Sequence, residues 1–100
     1  MFGVNKPVYL TPGLKAEVAP EVIMKMVQSI MDMKQKEEVE EIDHLQIFNF
    51  EESDDEVIVT HTQEVPPFNK SFTLPTGKAW DKVYAIDDQT HVTFMFAHEY

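Results

Sequence analysis

Pro20-Glu21-Val22-Ile23-Met24-Lys25-Met26-Val27-Gln28-Ser29-Ile30-Met31-Asp32-Met33-Lys34 is the stretch on which the fold turns. Ile23, Met26, Val27 and Ile30 recur at i, i+3, i+4 and i+7, the spacing of one helix face. Glu21, Lys25, Gln28, Ser29 and Asp32 fall on the polar side, which predicts an amphipathic helix beginning near Glu17. Pro20 suits the first turn, where its missing N–H costs nothing. Glu17 and Glu21 at the start, with Lys34 and Lys36 at the end, match the helix dipole, and Glu21 to Lys25 adds an i,i+4 pair. Met24 and Met31 lie at one edge of the apolar arc and Met33 at the other. Methionine fills cores, and it also serves on adaptable docking surfaces.

Outward from this helix the period changes from 3.6 to 2. On the N-terminal side, Pro7 to Leu10 reads as a short strand, and Thr11-Pro12-Gly13 as a type II turn. On the C-terminal side, Leu45–Phe50, Val57–Gln63, Phe68–Leu74, Lys82–Ile86 and Val92–Ala97 are rich in β-branched and aromatic residues. Acidic, Pro-Pro, Pro-Thr-Gly and Asp-Asp-Gln-Thr segments separate them. Val92, Phe94 and Phe96 alternate with His91, Thr93 and Met95. Connections this short favour antiparallel neighbours. The expected architecture is α+β: a mostly antiparallel sheet of about five to six strands with one amphipathic helix packed on one face.

One hundred residues with 43% apolar content suit a single domain spanning 1–100. The absence of cysteine removes thiolate metal sites and thiol chemistry and suits a reducing compartment. No secretory leader is visible at the N-terminus, and the longest apolar stretch is broken by Lys25, Gln28, Ser29 and Asp32, so a cytoplasmic protein is expected. Eighteen acids face eight lysines and no arginine, a net charge of −10. That balance argues against direct nucleic-acid binding and against anionic membranes, and in favour of a basic partner.

Tyr9-Leu10-Thr11 with Gly13, Asp43-His44-Leu45-Gln46-Ile47-Phe48, Gln63-Glu64 with Pro66, Lys82-Val83-Tyr84-Ala85-Ile86-Asp87-Asp88 and the terminal Glu99-Tyr100 together resemble the small proteins of low-GC Gram-positive bacteria grouped as domain of unknown function 960. The stretches span nearly the whole chain. The single tryptophan and the missing arginine depart from that family's pattern. The resemblance implies an intracellular bacterial, plasmid or phage origin and transfers no catalytic residue.

Motifs with chemistry are sparse. Gly3, Gly13 and Gly77 are scattered, so no phosphate loop forms. His44, His61, His91 and His98 lack metal-ligand spacing; the last three sit on predicted strands, where pairing is the route by which two could meet. Glu51–Glu56 lacks the pattern of a calcium loop. Ser29, Ser53 and Ser71 lack the context of an activated nucleophile. No cofactor or metal is expected. Trp80, in a connection, is a candidate binding anchor or a lid over the core.

Charge is the informative feature. Residues 37–69 hold eleven acids and no lysine, so this segment carries −11 and the rest of the chain +1. In extended chain, alternate side chains stand about 6.5–7 Å apart, comparable to the phosphates of a nucleic-acid strand. Glu37, Glu38, Glu40, Glu41, Asp43, Glu51, Glu52, Asp54, Asp55 and Glu56 are therefore the expected partner-binding residues, with Trp80, Met24 and Met31 as anchors. The expectation is a non-enzymatic acidic protein that engages the basic surface of a nucleic-acid-handling protein. A phage- or plasmid-borne, anti-CRISPR-like inhibitor that mimics nucleic acid before an RNA-guided nuclease is one form of it. The alternatives are a housekeeping module that docks or homodimerises through the Met-rich helix edge, and a small enzyme using a histidine and a carboxylate.

Overall fold

The structure is a computed structural model that describes residues 7–34, 44–64, 66–75, 79–88 and 90–100. Six strands, β1 (Val8–Leu10), β2 (Leu45–Ser53), β3 (Glu56–Gln63), β4 (Phe68–Leu74), β5 (Val83–Asp87) and β6 (Val92–Phe96), form one sheet in the order β1-β6-β5-β2-β3-β4. Every pairing is antiparallel except β1 with β6. The α+β architecture is as the periodicities predict.

Between β1 and β2 lie two helices, α1 (Pro12–Glu17) and α2 (Pro20–Lys34), and a 3-10 turn, η1 (Ala97–Glu99), follows β6. The Thr11-Pro12-Gly13 turn expected from sequence is the start of α1. Thr11 is its N-cap, with the hydroxyl accepting from the Leu14 N–H, and Pro12 occupies the first turn. The same residues that suit a turn also suit a helix start. What decides is Leu14 and Val18, which are buried in the core when the chain winds. The sheet also deviates in β1: its parallel register, Val8 to Val92 and Leu10 to Phe94, places it beside the last strand rather than beside β2.

Both helices pack on one face. Leu14, Val18, Ile23, Met26 and Ile30 meet Phe48, Val57, Val59, Val83, Ala85, Val92, Phe94 and Phe96 in a single cluster. The inward positions of β3, β5 and β6 alternate with half-exposed ones, as the period-2 pattern requires. Burial of a side chain the size of Phe48 stabilises the fold by about 2–3 kcal/mol. Ser29, placed on the polar side from sequence, is buried, only 3% exposed. It follows Met26 by three residues and precedes Met33 by four, both fully buried, so it lies inside the apolar arc.

The strand directions put the C-terminal ends of β1, β2, β4 and β6 together with the N-terminal ends of β3 and β5. One end of the sheet thus carries α1, η1, the β2–β3 turn and the segment 79–82. The opposite end carries His44 and the turns that join β3 to β4 and β5 to β6.

Candidate functional site

The acids predicted to bind a partner divide in two. Glu37, Glu38, Glu40, Glu41 and Asp43 lie outside the described residues. Glu51, Glu52, Asp54, Asp55 and Glu56 form the tip of the β2–β3 hairpin, all of them exposed. The sequence suggested a loose acidic turn over 51–55, but β2 runs on to Ser53 and pairs it with Glu56, leaving a two-residue turn. Seven register pairs from Ile47–Thr62 to Ser53–Glu56 hold this hairpin, so Glu51, Glu52 and Glu56 are displayed on regular strand ends and Asp54 and Asp55 on the turn between them. Asp54 adopts φ 52°, a left-handed backbone uncommon for a residue with a side chain.

At the same end a cleft of about 420 Å³ opens between α1 and the segment before β5, lined by Gly13, Ala16, Glu17, Ala79, Trp80, Asp81, Phe96 and His98. Trp80 is half-buried and set edge-on against Phe50, centroids 5.6 Å apart at 85°. Its indole N–H is enclosed and has no acceptor among the described residues. His98 stacks on Phe96 at 5.3 Å, and its Nδ1 stands 3.8 Å from an Asp81 oxygen. Thr11 and the Phe96 N–H both donate to Glu99 Oε1, at 2.7 and 2.9 Å, and those two bonds hold its carboxyl below the usual carboxylate range. A Cβ added at Gly13 would come within 2.7 Å of the other Glu99 oxygen, so glycine permits this tie between the start of α1 and the end of the chain.

A second constellation, nearer the opposite end, joins α2 to the sheet. Its bond directions follow from the Pro66 carbonyl, which can only accept. The Gln63 side-chain amide donates to it at 2.8 Å, Gln46 donates to Gln63 Oε1 at 2.9 Å, and Gln46 Oε1 must then accept from His61 Nε2 at 2.6 Å. That leaves His61 Nδ1 to accept from the Ser29 hydroxyl at 2.8 Å. The ring is fully buried, stacked on Phe48 at 4.5 Å. Desolvation, reinforced by the Lys70 charge, lowers its pKa to about 4, so the imidazole is neutral at pH 7.

Ser29–His61–Gln46 has the order of a nucleophile, a base and an orienting group. Ser29 also borders a groove of about 240 Å³ with Lys25, Gln28, Asp32, Lys70 and Phe72. The hydroxyl is nevertheless enclosed in the middle of α2, where the backbone N–H groups are committed to the helix and form no oxyanion site. Its chemistry fits a lock between helix and sheet. In the sequence Ser29 and His61 stand as separate candidates. The i+3/i−4 spacing of Ser29 to Met26 and Met33 signals its burial, whereas its bond to His61 follows only from how α2 lies across β3.

Among the described residues no three metal-ligating side chains converge, and the strands do not bring His61, His91 and His98 together. His61 points inward from β3, while His91 precedes β6 and lies beside Tyr9 with ring centroids 4.8 Å apart. Of the methionine anchors, Met24 is 67% exposed and Met31 half-buried, while Met26 and Met33 fill the core. No described helix is long and apolar enough to cross a membrane.

The residues that carry the family resemblance meet in these two constellations: Thr11, Gly13 and Glu99 at one end, Gln46, Gln63 and Pro66 towards the other. No curated protein matches the chain significantly. Among solved structures, the crystal structure of a protein of unknown function from Enterococcus faecalis matches with a TM-score of 0.74 at 19% identity, covering 100% of this chain and 98% of that one. The likeness shows a shared fold. Residues 8–99 match the family described as staphylococcal protein of unknown function, domain of unknown function 960, and the chain belongs to that family.

Proposed function

We propose that this chain is a non-enzymatic acidic binding protein that presents one end of its sheet to a basic protein surface. The observation that carries the reading is the β2–β3 tip, where five exposed carboxylates in six residues project from two paired strand ends and the turn that joins them. Glu17 and Asp81 at the neighbouring cleft extend the same sign of charge, and the described lysines near it are Lys15 and Lys82. A directed negative field of this kind raises the rate of encounter with a basic partner and selects against acidic ones.

The partner class that fits is a nucleic-acid-handling protein, because such proteins concentrate cationic surface in a channel or groove. In its narrowest form the reading is competition with nucleic acid for the channel of a defence nuclease, including an RNA-guided one. The test is capture of partners at a series of salt concentrations, followed by direct binding of each purified candidate. Capture should fall steeply with salt, be displaced by DNA or RNA, and be lost when Glu51, Glu52, Asp54 and Asp55 are changed to Lys. Binding that ignores salt and survives the fourfold change would overturn the reading. Binding that depends on salt but is not displaced by nucleic acid would reject only its nucleic-acid-mimic form.

A further inference from the structure

We infer that the cleft between α1 and the segment 79–81 seats an arginine side chain supplied by the basic partner. The inference rests on the acidic-surface reading above and adds to it a specific subsite. The cleft combines three features that suit a guanidinium. Trp80, Phe96 and the stacked His98 ring give it aromatic walls, Glu17 and Asp81 give it two carboxylates, and none of the described lysines lines it. A planar, weakly hydrated guanidinium stacks on aromatic faces and forks onto carboxylates, whereas an ammonium is a compact and strongly hydrated point charge.

Size and availability agree. A cleft of about 420 Å³ admits a long side chain together with part of its backbone. Asp81 is 82% exposed and touches His98 only at 3.8 Å, longer than a hydrogen bond, so an incoming cation meets a carboxylate that is not tightly held. Trp80 is fixed through its contact with Phe50 rather than through its N–H. The acidic hairpin tip lies at the same end of the sheet, so long-range attraction by the tip and local seating in the cleft act on one approaching surface.

Trp80 is the chain's single tryptophan, so its emission reports on this cleft alone. The probes are fluorescently labelled hexa-arginine and hexa-lysine amides, each followed by label anisotropy and by Trp80 emission at low salt. The arginine peptide should change Trp80 emission saturably and bind about tenfold tighter than the lysine peptide, the scale of a desolvated cation–π contact. Asp81→Asn combined with Glu17→Gln, both on exposed residues, should erase that preference. The fourfold lysine change at the hairpin tip should weaken both peptides alike and keep the preference. If both peptides bind equally by anisotropy, with Trp80 silent and the Asp81/Glu17 variant unaffected, the cleft is not the seat while the acidic-surface reading stands. If neither peptide binds, both fall.

Discussion

The two ends of the sheet handle polar groups in opposite ways. Towards one end, Ser29, His61, Gln46 and Gln63 are drawn into the interior and each is answered, in a chain of bonds ending on the Pro66 carbonyl. At the other, Glu51, Glu52, Asp54, Asp55 and Glu56 are held out on two strand ends and the turn between them, and the Trp80 N–H finds no acceptor among the described residues. A satisfied network in low dielectric fixes one arrangement of a core. Exposed like charges crowded at a hairpin tip raise its energy by mutual repulsion. Stability is concentrated in the first region and surface potential in the second, so substitutions in the two should fail in different assays.

His61→Ala should give the largest effect. It leaves Gln46 Oε1 and the Ser29 hydroxyl without their partner and opens a cavity against Phe48, together worth about 3–4 kcal/mol of unfolding free energy. Urea or guanidinium melts measure it. A loss under about 1 kcal/mol would mean that the relay is incidental to the packing of α2. The fourfold lysine change at the tip should move stability by no more than about 0.5 kcal/mol per site while abolishing partner capture.

Acid should act on the relay next. His61 has a folded pKa of about 4 against an ordinary value of 6.5, so the unfolded chain takes up the proton first. Its contribution is fully present above pH 6.5 and drains away as pH falls towards about 4, reaching about 3 kcal/mol. Protonation would also oblige Ser29 to give up its donor role at Nδ1. Unfolding curves at pH 7.5, 6.0 and 4.5 should show this slope, and His61→Ala should flatten it. Ser29→Ala, which removes one donor and leaves Nδ1 unanswered, should cost about 1–2 kcal/mol.

How much of this the sequence disclosed follows from the range of the forces involved. The long helix and the five C-terminal strands were legible because their periods, 3.6 and 2, are written in adjacent residues; α2 begins at Pro20, as the proline suggests, and not near Glu17, which instead closes α1. Helix α1 was not, since six residues are too few to show a period and Thr11-Pro12-Gly13 satisfies turn and helix start alike. The parallel pairing of β1 with β6 was also out of reach, because it is a contact across more than eighty residues. The hairpin acids were visible as charge, but the relay and the cleft were not. Gln46, His61 and Gln63 share a face only once β2 and β3 are in register, and the cleft draws its lining from α1, the segment before β5, β6 and η1.

The smallest predicted effect separates the two regions most finely. Asp54 holds φ 52°, where glycine is least strained and a residue with a Cβ pays for the crowding of its carbonyl neighbours. It also stands among four other carboxylates at the tip. Backbone and electrostatics therefore both argue for glycine, and Asp54→Gly should raise stability by about 0.5–1 kcal/mol once the greater freedom of the unfolded chain is deducted. Asp54→Asn keeps a side chain that tolerates the left-handed region and removes only the charge, so it isolates the repulsion. If the tip is a binding surface, both variants should gain stability and lose affinity for the basic partner, with the salt dependence of binding becoming shallower. Such a trade-off between stability and binding would show that an acid at 54 serves the display of charge. A gain in stability with unchanged binding would place the functional charge elsewhere on the chain and leave the tip as an ordinary strained turn.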